Sequence, residues 1–194
     1  PVTTRVFMHC DGIGHGELRM ALRRARCEPI RPEMVFVDGG RPERIEGSLT
    51  TADEADLTLH GTIGGALLPS GPFSMETGPQ HWAEYEVGLP VGGRWLLWIR
   101  ARYEDTNSNS FFLRNPEDPE ELIRLGNRIG TYDTWLWEGP VRLELEAGTH
   151  TLTITGRESQ PLQSPILDVI ALVHEEFTYT PTDSDARQAL MPEQ

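Results

Sequence analysis

The chain has 194 residues, 38% of them hydrophobic, which suits one domain of ordinary size with extensions and falls short of two. Its formal net charge is −13 and all 17 basic residues are Arg, so an acidic body argues against nucleic acid and anionic membrane surfaces as partners. No apolar run is long enough to give a membrane-spanning segment.

Residues 1–34 differ from the rest. They carry six Arg against four acids, and they hold both cysteines, Cys10 and Cys27. The chain begins at Pro1 rather than Met, as a product of signal-peptide cleavage or a piece of a longer polypeptide would. In an exported protein a disulfide between Cys10 and Cys27 is the leading expectation, whereas a metal site adding His9 and His15 matches no familiar ligand spacing. Gly16 to Cys27 puts Leu18, Ala21, Leu22 and Ala25 on one helical face, with Arg19, Arg23 and Arg26 largely opposite. This predicts a short amphipathic helix that Pro29 and Pro32 end. Such a helix needs a surface to lie on, either its own domain or another subunit.

From Met34 onward the period changes from helix to strand. Val35 to Asp38 and Glu43 to Leu49 read as opening strands, and Leu57 to His60, Ala66 to Leu68 and Phe73 to Met75 as further short ones between Gly and Pro punctuation. In His81 to Val87, Ala83, Tyr85 and Val87 share one face while Trp82, Glu84 and Glu86 share the other, a strand with one wet side. After the turn from Gly88 to Gly93, Trp95, Leu97, Ile99, Ala101 and Tyr103 point together and are predicted core. Val141, Leu143 and Leu145 alternate with charges, Ala147-Gly148 turns the chain, and Leu152 and Ile154 alternate with threonines, which predicts a hairpin. The last strand sets Leu167, Val169, Ala171 and Val173 opposite Ile166, Asp168, Ile170 and Leu172, apolar on both faces except at Asp168. Asn115 to Glu121 reads as an acidic, solvated loop, and residues 181–194 as a polar C-terminal tail, mobile unless a neighbour orders it. The fold class is therefore all-β, an antiparallel β-sandwich (jelly roll) over 35–180, with an N-terminal extension over 1–34.

Five pieces lie in a telling order: Tyr85 to Val87, Gly93 to Arg102, Asn107 to Phe112, Leu145 to Leu152, and Leu167 to Leu172. In that order the chain resembles galactose-binding-like β-sandwiches, and among them carbohydrate-binding modules of families six and thirty-five. The resemblance implies a glycan held on loops at one end of the sandwich, by rings that stack on sugar C–H faces and amides that meet hydroxyls. The loop candidates are Tyr103, Asn107, Asn109, Tyr132, Asp133, Trp135 and Trp137. Trp135 and Trp137 share parity and would form a platform, or else pack into the core; Asn107 and Asn109 contact ligand, or else tie their own turn. The resemblance also implies a structural calcium ion near the first and last strands. Asp168 matches the late ligand position and Asp38 is a partial match for the early pair, although an Asp paired with an Arg would look the same.

No nucleophile elbow, phosphate loop, zinc-protease motif or dinucleotide fingerprint is present, and Glu84 and Glu86 read as a solvated face, so no enzyme is expected. Two functions follow. One is a non-catalytic, exported glycan-binding module, periplasmic or extracellular; the other is an accessory or scaffolding subunit of an envelope assembly, with the N-terminal arm reaching onto protein neighbours.

Overall fold

The computed structural model describes residues 33–52, 61–126, 130–159, 164–177 and 179–191. The amphipathic helix expected over Gly16 to Cys27, the Cys10–Cys27 disulfide and the strand expected over Leu57 to His60 lie outside the described residues. In chain order the strands are β1 (Met34–Asp38), β2 (Arg44–Glu46), β3 (Leu49–Ala52), β4 (Ala66–Pro69), β5 (Trp82–Leu89) and β6 (Gly93–Arg102). They continue as β7 (Ser110–Arg114), β8 (Leu122–Gly126), β9 (Leu136–Leu145), β10 (Gly148–Gly156) and β11 (Ile166–His174), followed by a helix α1 (Asp183–Leu190).

The strands form two antiparallel sheets. One has the order β3-β4-β11-β6-β9, with β1 also paired to β11; the other runs β2-β5-β10-β7-β8. Between them the alternate residues interlock: Tyr85, Trp95, Leu97, Ile99, Phe111, Leu113, Leu152 and Ile154 are all fully buried in one cluster. Each large side chain so buried contributes about 1.5–3 kcal/mol, which makes this layer the main source of stability. The predicted core parity of β5 and β6 is what the structure has.

Four readings of the sequence are corrected by the pairing. The strands on either side of Ala147 do not form a hairpin: β9 pairs with β6 and β10 with β5 and β7, so the turn carries the chain from one sheet to the other. Period-two alternation is the same for a hairpin and for a crossing between layers, because each strand only records which face is dry. Glu43 to Leu49 is likewise two strands, β2 and β3, which pair in different sheets with Gly47 and Ser48 between them. Phe73 makes an isolated bridge to Ser159 rather than a strand.

The fourth correction is on β11. The register with β6 slips between Leu167 and Val169, so Asp168 is an extra residue in a bulge. A one-residue slip exchanges faces. Leu167, Ile170 and Leu172 therefore enter the central core, while Val169 packs with Ile63 and Ala186 on the outer side of the same sheet.

The polar tail holds α1. Thr182 caps it with a reciprocal pair: its hydroxyl accepts from the Asp185 N–H, and the Asp185 carboxylate accepts from the Thr182 N–H at 2.9 Å. Ala186 is buried against Ile63 and Val169, with Phe36, Trp137 and Leu190 around it. Among the described residues no helix is long and apolar enough to cross a membrane.

Candidate functional site

Strand register brings distant residues into rows on the outer face of the five-stranded sheet. On β5 the core takes Ala83, Tyr85 and Val87, on β10 it takes Leu152 and Ile154, and on β7 it takes Phe111 and Leu113; their neighbours must point outward. Trp82 lies opposite Thr155, and Thr155 opposite Phe112, so one row reads Trp82, Thr155, Phe112. The next row reads Arg44, Glu84, Thr153, Arg114, and Glu86 lies opposite Thr151 beyond it. Trp82 and Phe112 are partly exposed, about 10 Å apart by two strand spacings, on either side of Thr155, which is fully buried and donates its hydroxyl to the Gly156 carbonyl. The Arg44 guanidinium lies 5.1 Å from the Trp82 ring centre and 3.7 Å from Glu84, on a side chain 63% exposed. Arg157 sits 5.9 Å over Phe112 and donates to Ser110 Oγ at 3.1 Å. Rings, the hydroxyls of Thr151 and Thr153, and both signs of charge on one sheet face can hold a polar ligand that also has an apolar side.

Most of the residues expected to bind on the loops have internal partners. Tyr103 belongs to the core, 2% exposed, and its hydroxyl donates to Glu138 Oε2 at 3.1 Å; burial, with Glu138 adding to it, pushes its pKa far above the ordinary tyrosine value. Gly126 makes room for this pair: its φ is +97°, and a Cβ there would lie 2.5 Å from the Tyr103 hydroxyl. Asn107 is exposed and donates its backbone N–H to Asp105, while buried Asn109 donates its side-chain amide to the Thr106 carbonyl at 3.0 Å, so Asn109 shapes its own turn. Tyr132 packs, partly buried, on the central core, and Asp133 accepts from Arg102.

Trp135 and Trp137 do share a face, on the outer side of the six-stranded sheet, but that face is taken. Arg100 lies directly opposite Trp137 in register, and its guanidinium sits 4.8 Å over the Trp135 ring. Trp137 donates its indole N–H to Asp183 at 3.0 Å and meets Phe36 edge-on. Arg100 is the residue that the sequence reading missed, and it joins the expected platform to the expected metal ligand.

Asp168 is fully buried and ion-paired to Arg100. It also accepts the Ile63 N–H at 3.0 and 3.2 Å and the Gly64 N–H at 3.4 Å. Gly64 has no space for a side chain, since a Cβ would lie 2.7 Å from Asp38 Oδ2, and this closeness lets the 61–65 segment press its amides onto Asp168. Burial raises the Asp168 pKa above the ordinary carboxylate range, and the Ile63 N–H and Arg100 oppose that rise. Asp38 accepts the Gly40 N–H at 2.8 Å and faces Arg41 at 3.4 Å. Calcium requires six to eight oxygen ligands, yet what surrounds Asp168 is a guanidinium and two N–H donors. Among the described residues, those around Asp168 do not fit a calcium ion; Arg100 supplies the positive charge at that point.

No family model matches the chain, and no curated protein matches it in sequence. Solved structures do match in fold. One is the C-terminal CBM6 of LamC, a marine laminarinase from Zobellia galactanivorans, with TM-score 0.51 and 12% identity over 73% of this chain and 99% of that one. Another is a family 35 carbohydrate-binding module from Clostridium thermocellum, with TM-score 0.52 and 14% identity over 72% of this chain and 97% of that one. A third is the Arthrobacter globiformis T6 isomalto-dextranase complexed with panose, TM-score 0.52 and 16% identity over 72% of this chain and 23% of the enzyme. The described sandwich thus has the fold of carbohydrate-binding modules of families 6 and 35.

Proposed function

We propose that this chain is a non-catalytic, exported module that holds a polysaccharide chain across the outer face of its five-stranded sheet. The observation that carries the reading is the pair Trp82 and Phe112: two partly exposed rings that the register sets in line on either side of buried Thr155. A linear sugar laid along that row stacks its C–H faces on the rings and turns its hydroxyls to Glu84, Thr153 and Arg114. Arg44 swings off Trp82 to admit it, at small cost for an exposed side chain. The fold likeness supports the reading, since modules of this shape include one from a laminarinase, and a place outside the cytoplasm goes with it. Glu84 and Glu86 serve as hydrogen-bond acceptors on an open face, not as an acid and base across a cleft. The subunit reading gains no support from the described residues.

The test is a polysaccharide array with the purified chain and the variants Trp82→Ala, Phe112→Ala and Asn107→Ala. Binding lost in the first two and kept in the third supports the sheet face. Binding lost only in Asn107→Ala moves the site to the loops, and no binding to any glycan ends the carbohydrate reading.

A further inference from the structure

Three donors converge on one carboxylate beneath α1. Arg100 presents Nε and Nη2 to the two oxygens of Asp183 at 2.8 Å each, and Trp137 Nε1 donates to the first of them at 3.0 Å. A fork and a third N–H on one planar group make a fitted carboxylate receptor. The receptor is built on the sheet and is held independently of its ligand: Arg100 is pinned by Asp168 and by the Trp135 ring, and its side chain is 4% exposed. The ligand arrives on a weaker carrier. Asp183 is 48% exposed and sits in the first turn of an eight-residue helix whose one fully buried residue is Ala186. Helices this short are marginal apart from their contacts. When α1 lifts, Asp168 and Arg100 still neutralise each other, but Nε, Nη2 and the Trp137 N–H are left facing outward without an acceptor, which favours any carboxylate that can enter.

We infer that Arg100, Trp137 and Trp135 form a carboxylate-binding site which the tail closes with Asp183, and which takes the carboxylate of a small organic acid when the tail gives way. The site lies on the six-stranded sheet, away from the glycan face, so each can fail without the other. Tethered Asp183 competes at an effective concentration on the order of millimolar, so external acid wins in the wild type only at high concentration and readily once Asp183 is gone.

The experiment uses the full chain with Asp183→Ala and sodium acetate as the probe, against sodium chloride at equal ionic strength. Acetate is expected to shift the Trp137 indole N–H resonance with half-saturation on the order of 10 mM and to raise the melting temperature, while chloride does neither. Adding Trp137→Phe to Asp183→Ala should weaken the acetate-specific rise in melting temperature by several-fold. In the wild type, high acetate should speed tryptic cleavage at Arg187 of α1 relative to chloride. Equal responses to acetate and chloride in Asp183→Ala overturn the inference. If that variant does not fold, Asp183→Asn, which keeps shape and one acceptor, is titrated in the same way and read by the same criterion.

Discussion

Replacing Arg100 with Met keeps most of the side-chain bulk and removes the charge, which isolates what the guanidinium does. Asp168 is left fully buried with only the Ile63 and Gly64 amides for company. Breaking a buried ion pair from one side costs about 3–5 kcal/mol, because the remaining charge has lost its partner without regaining water. The contact to Asp183 adds little, about 0.5–1 kcal/mol, since that carboxylate is half in solvent. Losing the cation from the Trp135 face adds about 0.5–2 kcal/mol. A total of about 4–8 kcal/mol is a large share of the 5–15 kcal/mol typical of a domain. With a urea slope of about 2 kcal/mol per molar, the midpoint should fall by about 2–4 M. The companion Arg100→Met/Asp168→Asn removes the stranded charge and should recover at least half of that loss, measured in the same urea titrations as a coupling between the two positions. A loss below about 1 kcal/mol in Arg100→Met, or a double variant no better than the single one, would refute the reasoning.

Other outcomes follow from the same geometry. Millimolar EDTA and millimolar calcium should each leave the wild-type melting temperature within about 1 °C, whereas a structural ion at 100 times its Kd would contribute about 2.7 kcal/mol and shift it by several degrees. Tyr103→Phe should cost about 0.5–1.5 kcal/mol in urea unfolding, the net worth of the hydroxyl's bond to buried Glu138, and a neutral result would show that this bond adds nothing to stability. The Arg100 hydrogen bond lowers the Asp183 pKa, so its stabilising contribution is complete above the ordinary aspartate pKa and is lost as pH falls through the depressed value. Asp168, with its raised pKa, runs the other way: the cost of its buried charge eases as pH falls. Trp137 emission should therefore report release of α1 in acid, and Asp183→Asn should abolish that step.

The sandwich was legible in the sequence because its signal is local. Tyr85, Trp95 and Leu152 each reveal their dry face within a few residues, and no knowledge of partners is needed. What was not legible depends on pairing. Trp82 and Phe112 stand thirty positions apart, and only their shared neighbour Thr155 puts them in one row. The Asp168 bulge hides in a strand apolar on both faces, where a slip changes no hydrophobic pattern. Arg100 read as one of several outward charges on β6, since the Asp that buries it lies 68 residues away. The tail helix did leave a trace in Thr182 and Asp185, three residues apart with an acid at the later position, but its polar composition outweighed it. Tyr103, at the end of a strand of core parity, belonged with Trp95 to Ala101 from the start; its place on a loop came from the resemblance.

The pairing of β1 with β11 decides how the sandwich would yield to tension. Met34 lies opposite Val173, so the strand that opens the sheet and the strand that closes it have their outer ends side by side. Force drawn through both ends pulls the two strands apart from that point, loading the ladder one rung at a time like a zipper instead of shearing all rungs together. On the C-terminal side the force meets α1 first, where the grip of Arg100 on Asp183 acts as a fuse. In a pulling experiment the sandwich should yield in two low steps, helix before strand, and Asp183→Ala should erase the first. Such a sandwich would then lengthen at its own edge under load while the five-stranded sheet stays folded.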